Sequence, residues 1–302
     1  MSKQKILVVG SSNTDMVIKT EHLPRPGETV IGGTFFMNPG GKGANQAVTV
    51  ARLGGQAIFI CKTGSDVFGH QAHQLFEEEG IDTSYILFDS KNPSGVALIT
   101  VDANAENCIA VAPGSNANLL REDVAKAKEA VEEADIILMQ LEIPMETVEF
   151  VAKTANETNK KVILNPAPAQ PLSAELISNL YIITPNETEA EMISGITITD
   201  DKSAFEAAKK IADMGVDNVI VTMGDRGALV HNKTTSTIVN ACKVKAIDTT
   251  AAGDVFNGAL AVALAENRSI VDAVRFACKT AAISVTREGA QSSVPYRNEV
   301  DI

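Results

Sequence analysis

Ile6-Leu7-Val8-Val9 is a short, continuously apolar run closed by Gly10, the pattern of a strand buried on both faces. Similar runs recur at Ala57 to Cys61, Ile136 to Leu141, Val162 to Leu164, Tyr181 to Ile183 and Val219 to Thr222. Between many of them lie amphipathic segments of helical period. The clearest are Asn45 to Leu53, stopped by Gly54-Gly55, then Arg121 to Glu133, Pro144 to Thr158 with proline in its first turn, and Lys202 to Met214, stopped by Gly215. This alternation predicts a three-layer α/β/α protein with a mostly parallel, doubly wound sheet. Glu28 to Phe36 and Gly95 to Ala112 break the rhythm and read as strands without intervening helices, the second a hairpin turning at Asp102 to Glu106. They predict a small β appendage at the sheet's edge, either a lid over a site or a dimer contact.

Composition adds exclusions. The 302 residues are 45% hydrophobic and 21% charged, which is ordinary for a globular chain. Against 26 Lys+Arg stand 38 Asp+Glu, and the net charge of −12 argues against a nucleic-acid surface. Cys61, Cys108, Cys242 and Cys278 form no Cys-x-x-Cys pair, which argues against a zinc site and for a reducing compartment. Lys3 and Lys5 precede an apolar run too short for a signal segment, and no stretch reaches the roughly 18 apolar residues of a membrane helix. The expectation is a cytoplasmic protein without membrane or nucleic-acid partners.

In doubly wound sheets ligands sit beyond the C-terminal strand ends. The residues there are polar: Asn13 and Asp15, Glu142, Asn165, Asn186, and Gly224-Asp225-Arg226-Gly227. Amides and carboxylates at such a rim suit a polyol, although loops are polar in general. Asp248 to Asp254, containing Thr250, Ala251, Ala252 and Gly253, runs into a helix whose bare N-terminus could admit phosphate oxygens. Asp254 fits there either as a helix cap or as a base for an attacking hydroxyl. Gly40-Gly41-Lys42-Gly43 lacks the upstream Gly and the following Ser or Thr of a P-loop, and reads as a flexible turn bringing Lys42 and Asn45 to a small ligand. Asn186 with Glu189 reads as a capping box, or as a holder of phosphate and magnesium-bound water were the ligand a nucleotide. His70 and His73 read as a solvated helix face.

Gly40 to Asn45 together with Asp248 to Asp254 resembles the two signatures of the ribokinase-like carbohydrate kinases. Asn165 to Ala169, Thr184 to Glu189 and Thr286 to Gln291 extend the resemblance over essentially the whole chain. It implies one unit, 1–302, with a β lid from segments near 14–38 and 93–113, and ATP-dependent phosphorylation of D-ribose at O5. Sugar contacts are implied at Asn13, Asp15, Gly41, Lys42, Asn45 and Glu142, with Asp254 as base and an anion hole at Ala251, Ala252 and Gly253. Nucleotide contacts are implied at Asn186, Glu189, Thr222, Gly224, Asp225, Arg226, Gly227 and Gly253, and Cys278 stands where the adenine side often has His or Asn. Magnesium is tied to Asn186 and Glu189, and a potassium ion is implied at Asp248, Thr250, Ser284, Arg287, Gly289 and Ser293. The lid is expected to pair two subunits as a homodimer. Rival readings are a kinase for fructose, deoxyribose or a nucleoside, a non-catalytic sugar sensor, and an oxidoreductase, the last lacking Gly-x-Gly-x-x-Gly after the first strand.

Overall fold

Alternate residues of the first strand are buried in two different cores, which is why the run at Ile6 to Val9 has no polar position. The computed structural model describes residues 4–104 and 106–301, so that Lys3, and Ala105 in the predicted hairpin turn, lie outside the described residues. In chain order the strands are β1 (Lys5–Val9), β2 (Asn13–Lys19), β3 (Thr34–Gly40), β4 (Gln56–Ile60), β5 (Lys62–Gly64), β6 (Leu87–Asp89), β7 (Gly95–Val101), β8 (Asn107–Ala112), β9 (Ile136–Met139), β10 (Lys161–Leu164), β11 (Ile182–Ile183), β12 (Asn218–Thr222), β13 (Ala228–Asn232) and β14 (Ser236–Val239). The helices are α1 (Lys42–Arg52), α2 (Val67–Glu78), α3 (Arg121–Lys126), α4 (Lys128–Glu133), α5 (Met145–Glu157), α6 (Ala174–Ser178), α7 (Glu187–Ser194), α8 (Asp201–Ala212), α9 (Ala252–Ala265), α10 (Ile270–Ser284) and α11 (Arg297–Val300).

The main sheet has the order β14-β13-β12-β11-β10-β9-β1-β4, parallel from β4 to β12, with β13 and β14 antiparallel at one edge. Ile6, Val8, Phe59 and Leu138 pack in one core with Val48 of α1, Leu260 of α9 and Ala277 of α10. Leu7, Val9, Ile137 and Met139 pack in the other with Val151 of α5 and Ile211 of α8. From β1 the chain steps outward to β4, then later returns to lay β9 on the opposite side. This reversal opens a crevice at the C-terminal ends of β1 and β9.

A separate sheet, β3-β2-β7-β8, stands over that crevice. Asp15 lies opposite Asn38 and Ala97, and Met16 opposite Met37 and Leu98. Alternation therefore turns Asn13, Asp15 and Val17 to the crevice and Met16, Ile18, Phe35, Met37 and Leu98 to the other side. Ile18, Phe35, Met37 and Leu98 are exposed.

Local boundaries differ from expectation at four places. Glu28 to Gly33 is not strand, because Gly27, Gly32 and Gly33 take positive φ and a Cβ on Gly33 would lie 2.2 Å from the Lys19 carbonyl, so strand β3 starts only at Thr34. The helix expected from Arg121 to Glu133 is two, broken at Ala127, whose N–H bonds back to Val124 in a tight turn. Pro144 caps α5 in an extended conformation rather than entering its first turn. Lys42 and Gly43 belong to α1 and not to a flexible turn, since Ser11 holds them: its carbonyl accepts from Ala44 N–H at 2.8 Å and its hydroxyl from Gly43 N–H at 3.3 Å.

Candidate active site

The helix α1 starts directly over the β1–β2 turn, and only glycine permits so close an approach. Gly41 has φ +88, and a Cβ on it would lie 2.7 Å from Asn13 N, while one on Gly43 would lie 2.5 Å from Ser11 N. The helix start thereby sets Lys42 and Asn45 against the strand that carries Asn13 and Asp15. A Cβ on Gly40 would strike the Asp15 carboxylate at 2.3 Å, so the loop is shaped around that acid. Glu142, just beyond β9, accepts from Ser11 Oγ at 2.5 Å and from Lys42 N–H at 3.0 Å. Asn13 Oδ1 accepts from Asn116 Nδ2 at 2.7 Å. Asn13, Asn116 and Glu142 line a cleft of about 450 Å³, together with Val111 from the small sheet and with Leu141 and Ile143 just beyond β9. A more open hollow of about 780 Å³ around Arg52, Arg287 and Tyr296 shares no residue with it.

Asp254 sits in the first turn of α9, 5% exposed. Of the two roles its position allowed, the cap is excluded. The N-cap is Ala251, with no side-chain capping bond, and the Asp254 carboxylate instead accepts from Asn45 Nδ2 at 2.9 Å and Gln46 Nε2 at 3.0 Å. Ala251 holds φ +59, a left-handed conformation costing an L residue about 1–2 kcal/mol. Among the described residues nothing accepts from the N–H groups of Gly253 or Asp254, and a Cβ on Gly253 would meet nothing within 4 Å. Two free donors at a positive helix end can take an anion.

Charge is concentrated here. Burial pushes the Asp254 carboxyl up, against the Lys42 ammonium and the two amide donors, with Glu142 adding to the rise. Asp15 rises from 3.8 to about 6, through burial and then the Glu142 and Asp254 carboxylates, opposed by Lys42. Glu189 also rises with burial, held back by the Asn186 N–H and by Lys42. Burial works against the charge on Lys42, but the carboxylates of Asp254, Glu142, Glu189 and Asp15 outweigh it and its pKa goes up. One ammonium thus serves four acids. Asn45 Oδ1 is buried with no hydrogen-bond partner, an acceptor left for a ligand hydroxyl.

The remaining expected positions are distributed around this centre. Asn186 and Glu189 form the capping box of α7 at 2.8 Å in both directions, and Asn186 bridges Thr222. Gly224, Asp225 and Arg226 form a 3₁₀ turn closed by Gly227 at φ +100, and the Arg226 guanidinium is engaged by Glu187 and Asp201. Cys278 is buried on α10, its thiol pushed up to about 12 by burial and by nearby Cys242. Asp248 accepts from Thr250 N–H and Oγ1 at 2.9 and 2.6 Å and from Gly289 N–H at 2.8 Å, tying the α9 loop to the 286–289 turn. Ser284 and Ser293 bond within their own turns, and the Arg287 guanidinium pairs with Glu299. His70 and His73 stack on Phe88, and no cluster of metal-binding acids, His or Cys occurs among the described residues.

Ser11, Gln46, Asn116 and Gln140 were not anticipated at the site. Gln140 carried a signal, a polar residue within the run Ile136 to Leu141 and immediately past the end of β9; Ser11 and Asn116 carried none beyond being polar.

A doubly wound sheet that gathers a buried carboxylate, unpaired helix N–H groups and the charged groups Lys42, Asp15 and Glu142, the last also lining the cleft, has the build of a phosphotransferase acting on a hydroxyl. Comparison agrees: the model of the pfkB family carbohydrate kinases matches residues 3–297. A ribokinase of Haemophilus influenzae is 46% identical over 98% of this chain and 97% of its own. Among solved structures, a ribokinase of Thermotoga maritima has a TM-score of 0.91 and 45% identity, covering 99% of this chain and 98% of that one. The Arabidopsis thaliana ribokinase complexed with ribose and ATP has a TM-score of 0.93 and 31% identity with the same coverage. The chain belongs to the pfkB family of carbohydrate kinases.

Proposed function

We propose that the protein transfers the γ-phosphoryl group of ATP to the 5-hydroxyl of D-ribose, giving D-ribose 5-phosphate and ADP. The observation that carries this reading is Asp254, a buried carboxylate held by two amides beside the free N–H groups of α9. Asn13, Asp15, Gly41, Lys42, Asn45 and Glu142 bind the sugar hydroxyls. Asp254 takes the proton of the 5-hydroxyl as its oxygen bonds to the γ-phosphorus and the bond to the bridging oxygen of ADP breaks. The N–H groups around Ala251, Ala252 and Gly253 stabilise the charge on the transferring group. Asn186, Glu189, Thr222, Gly224, Asp225, Gly227 and Gly253 line the nucleotide side, with Cys278 near the adenine; Arg226 contributes by fixing its turn rather than as a free cation.

Four carboxylates around one lysine would repel a triphosphate, so the site fits a requirement for cations. Asn186 and Glu189 would hold magnesium through water and phosphate, and Asp248, Thr250, Ser284, Arg287, Gly289 and Ser293 offer the oxygen donors that a potassium ion takes. These cations would supply positive charge against the phosphates. The exposed apolar face of the lid, whose segments lie near 14–38 and 93–113 of a single unit, supports pairing of two copies. Free Cys61, Cys108, Cys242 and Cys278 fit a reducing cytoplasm, and no helix among the described residues is long and apolar enough to cross a membrane.

The test is coupled-assay turnover of ATP with D-ribose and magnesium, with and without potassium, against fructose, deoxyribose and adenosine. Ribose is the expected substrate; turnover with another sugar only would overturn the assignment. Asp254→Asn is expected to retain ribose binding by calorimetry and to lose about 10²- to 10⁴-fold in kcat. Full activity in that variant would exclude Asp254 as the base.

A further inference from the structure

Behind Asp254 lies a chain of buried amides. Gln46, one residue past Asn45 on α1, is 0% exposed; its Nε2 donates to Asp254 Oδ1 at 3.0 Å and to Asn165 Oδ1 at 3.2 Å. Its Oε1 accepts from Gln140 Nε2 at 2.6 Å. The direction of this chain is set by charge. An ionised carboxylate only accepts, so Gln46 must turn its NH₂ to Asp254 and its oxygen to Gln140, which must in turn present its own NH₂. Gln140 Oε1 is then left pointing away from every donor, and it is one of the few buried polar atoms without a partner. The fold makes room for it, since a Cβ on Gly10 would lie 2.1 Å from that oxygen. Keeping a buried acceptor unpaired costs stability, so this orientation is maintained against a local penalty.

We infer that Gln46, oriented by Gln140, is a positioning residue that fixes the plane of the Asp254 carboxylate for proton transfer from the sugar hydroxyl. The inference rests on Asp254 being the base. Rotation about Cβ–Cγ of an Asp is otherwise soft. Asn45 holds the other oxygen, but it also offers an unpaired carbonyl to the ligand and so is free to change partners when sugar binds. Gln46 is fully buried and both its amide nitrogen and its amide oxygen are engaged within the protein, so it offers no group to a ligand. A second branch, in which Thr184 donates to Asn257 Oδ1 at 2.6 Å and Asn257 to the Gly253 carbonyl at 2.8 Å, anchors the same helix start. Removing Gln46 removes a hydrogen bond to the charged form, while Lys42, Asp15, Glu142 and Glu189, the charged groups facing Asp254, stay in place.

The experiment is kcat and KM against pH for Gln46→Met, Gln140→Met and the double variant, with thermal melts and ribose calorimetry. Gln46→Met is expected to lower kcat about 10- to 100-fold at pH 7, to leave KM for ribose within about threefold, and to move the acid limb of kcat up by about one pH unit. Gln140→Met is expected to act in the same direction by about three- to tenfold, and the double variant to be no worse than Gln46→Met alone. An unmoved acid limb with kcat within about twofold, or additive losses in the double variant, would overturn the inference. Should Gln46→Met fail to fold, Gln140→Met decides by the same limb. Asp254→Asn separates the two readings: if it is active the base assignment falls, and if it is inactive while Gln46→Met is normal, only the role of Gln46 falls.

Discussion

At the scale of single residues, the site separates stability from activity. Gly253 has space around it and no positive φ, so Gly253→Ala is expected to fold as well as the wild type, or to gain up to about 1 kcal/mol of helix stability. The new methyl would project where an anion meets the α9 N–H groups, and kcat is expected to fall on the order of 10²-fold. A melt paired with the coupled assay checks this, and unchanged turnover would remove Gly253 from the anion hole. Asp15 shows the opposite trade. Its folded pKa of about 6 lies above the ordinary 3.8, so between those values the native chain binds more protons than the unfolded one and stability falls as pH rises. Asp15→Asn is therefore expected to stabilise the ligand-free protein at pH 8 by on the order of 2 kcal/mol, to have little effect near pH 4, and to weaken ribose binding. Denaturant midpoints at the two pH values decide it; equal shifts at both would refute the linkage. At this scale the sequence pointed by residue type to Asp254 and Lys42, and the fold brings the two together with Asp15 and Glu142. The sequence was illegible where a role depends on a neighbour far along the chain, as with Gln46 and Asn116.

At the scale of elements, the apolar runs of β1, β9, β10 and β12 announced themselves because both faces are buried, with Gln140, one residue past β9, the polar interruption. The lid strands were harder, since β2 alternates Asn13, Asp15 and Val17 with Met16 and Ile18 and begins only three residues beyond β1. Glycine misled twice: at Gly27 to Gly33 it breaks a stretch that reads as strand, and at Gly40 to Gly43 it marks tight packing of a helix start rather than flexibility. The outer face of the β3-β2-β7-β8 sheet carries Ile18, Phe35, Met37 and Leu98 in exposed positions, a strip that folding of one chain leaves wet. Wild-type protein is expected to scatter light as about twice its 31.9 kDa, and Leu98→Asp as a single chain with an unchanged melt. A monomeric wild type at working concentration would refute pairing through this face.

At the scale of the whole molecule, the net charge of −12 opposes approach of an anionic nucleotide, while the donors that hold it are local. Screening shortens from about 30 Å to about 8 Å between 0.01 and 0.15 M salt, so the long-range repulsion should vanish before the local contacts weaken. Raising ionic strength with choline chloride at fixed potassium and magnesium is expected to lower KM for ATP a few-fold; a rising KM would show that attraction dominates instead. The hydrogen bond between Asn45 and Asp254 joins residues 209 positions apart, across the width of the chain's history. As the polypeptide leaves the ribosome, Asn13, Asp15, Asn45 and Glu142, the small sheet and the main sheet through β14 are all made before Asp254 and its helix α9 appear. A chain made only as far as β14 therefore lacks the carboxylate that Asn45 and Gln46 hold, and those two buried amides keep no such partner until α9 follows.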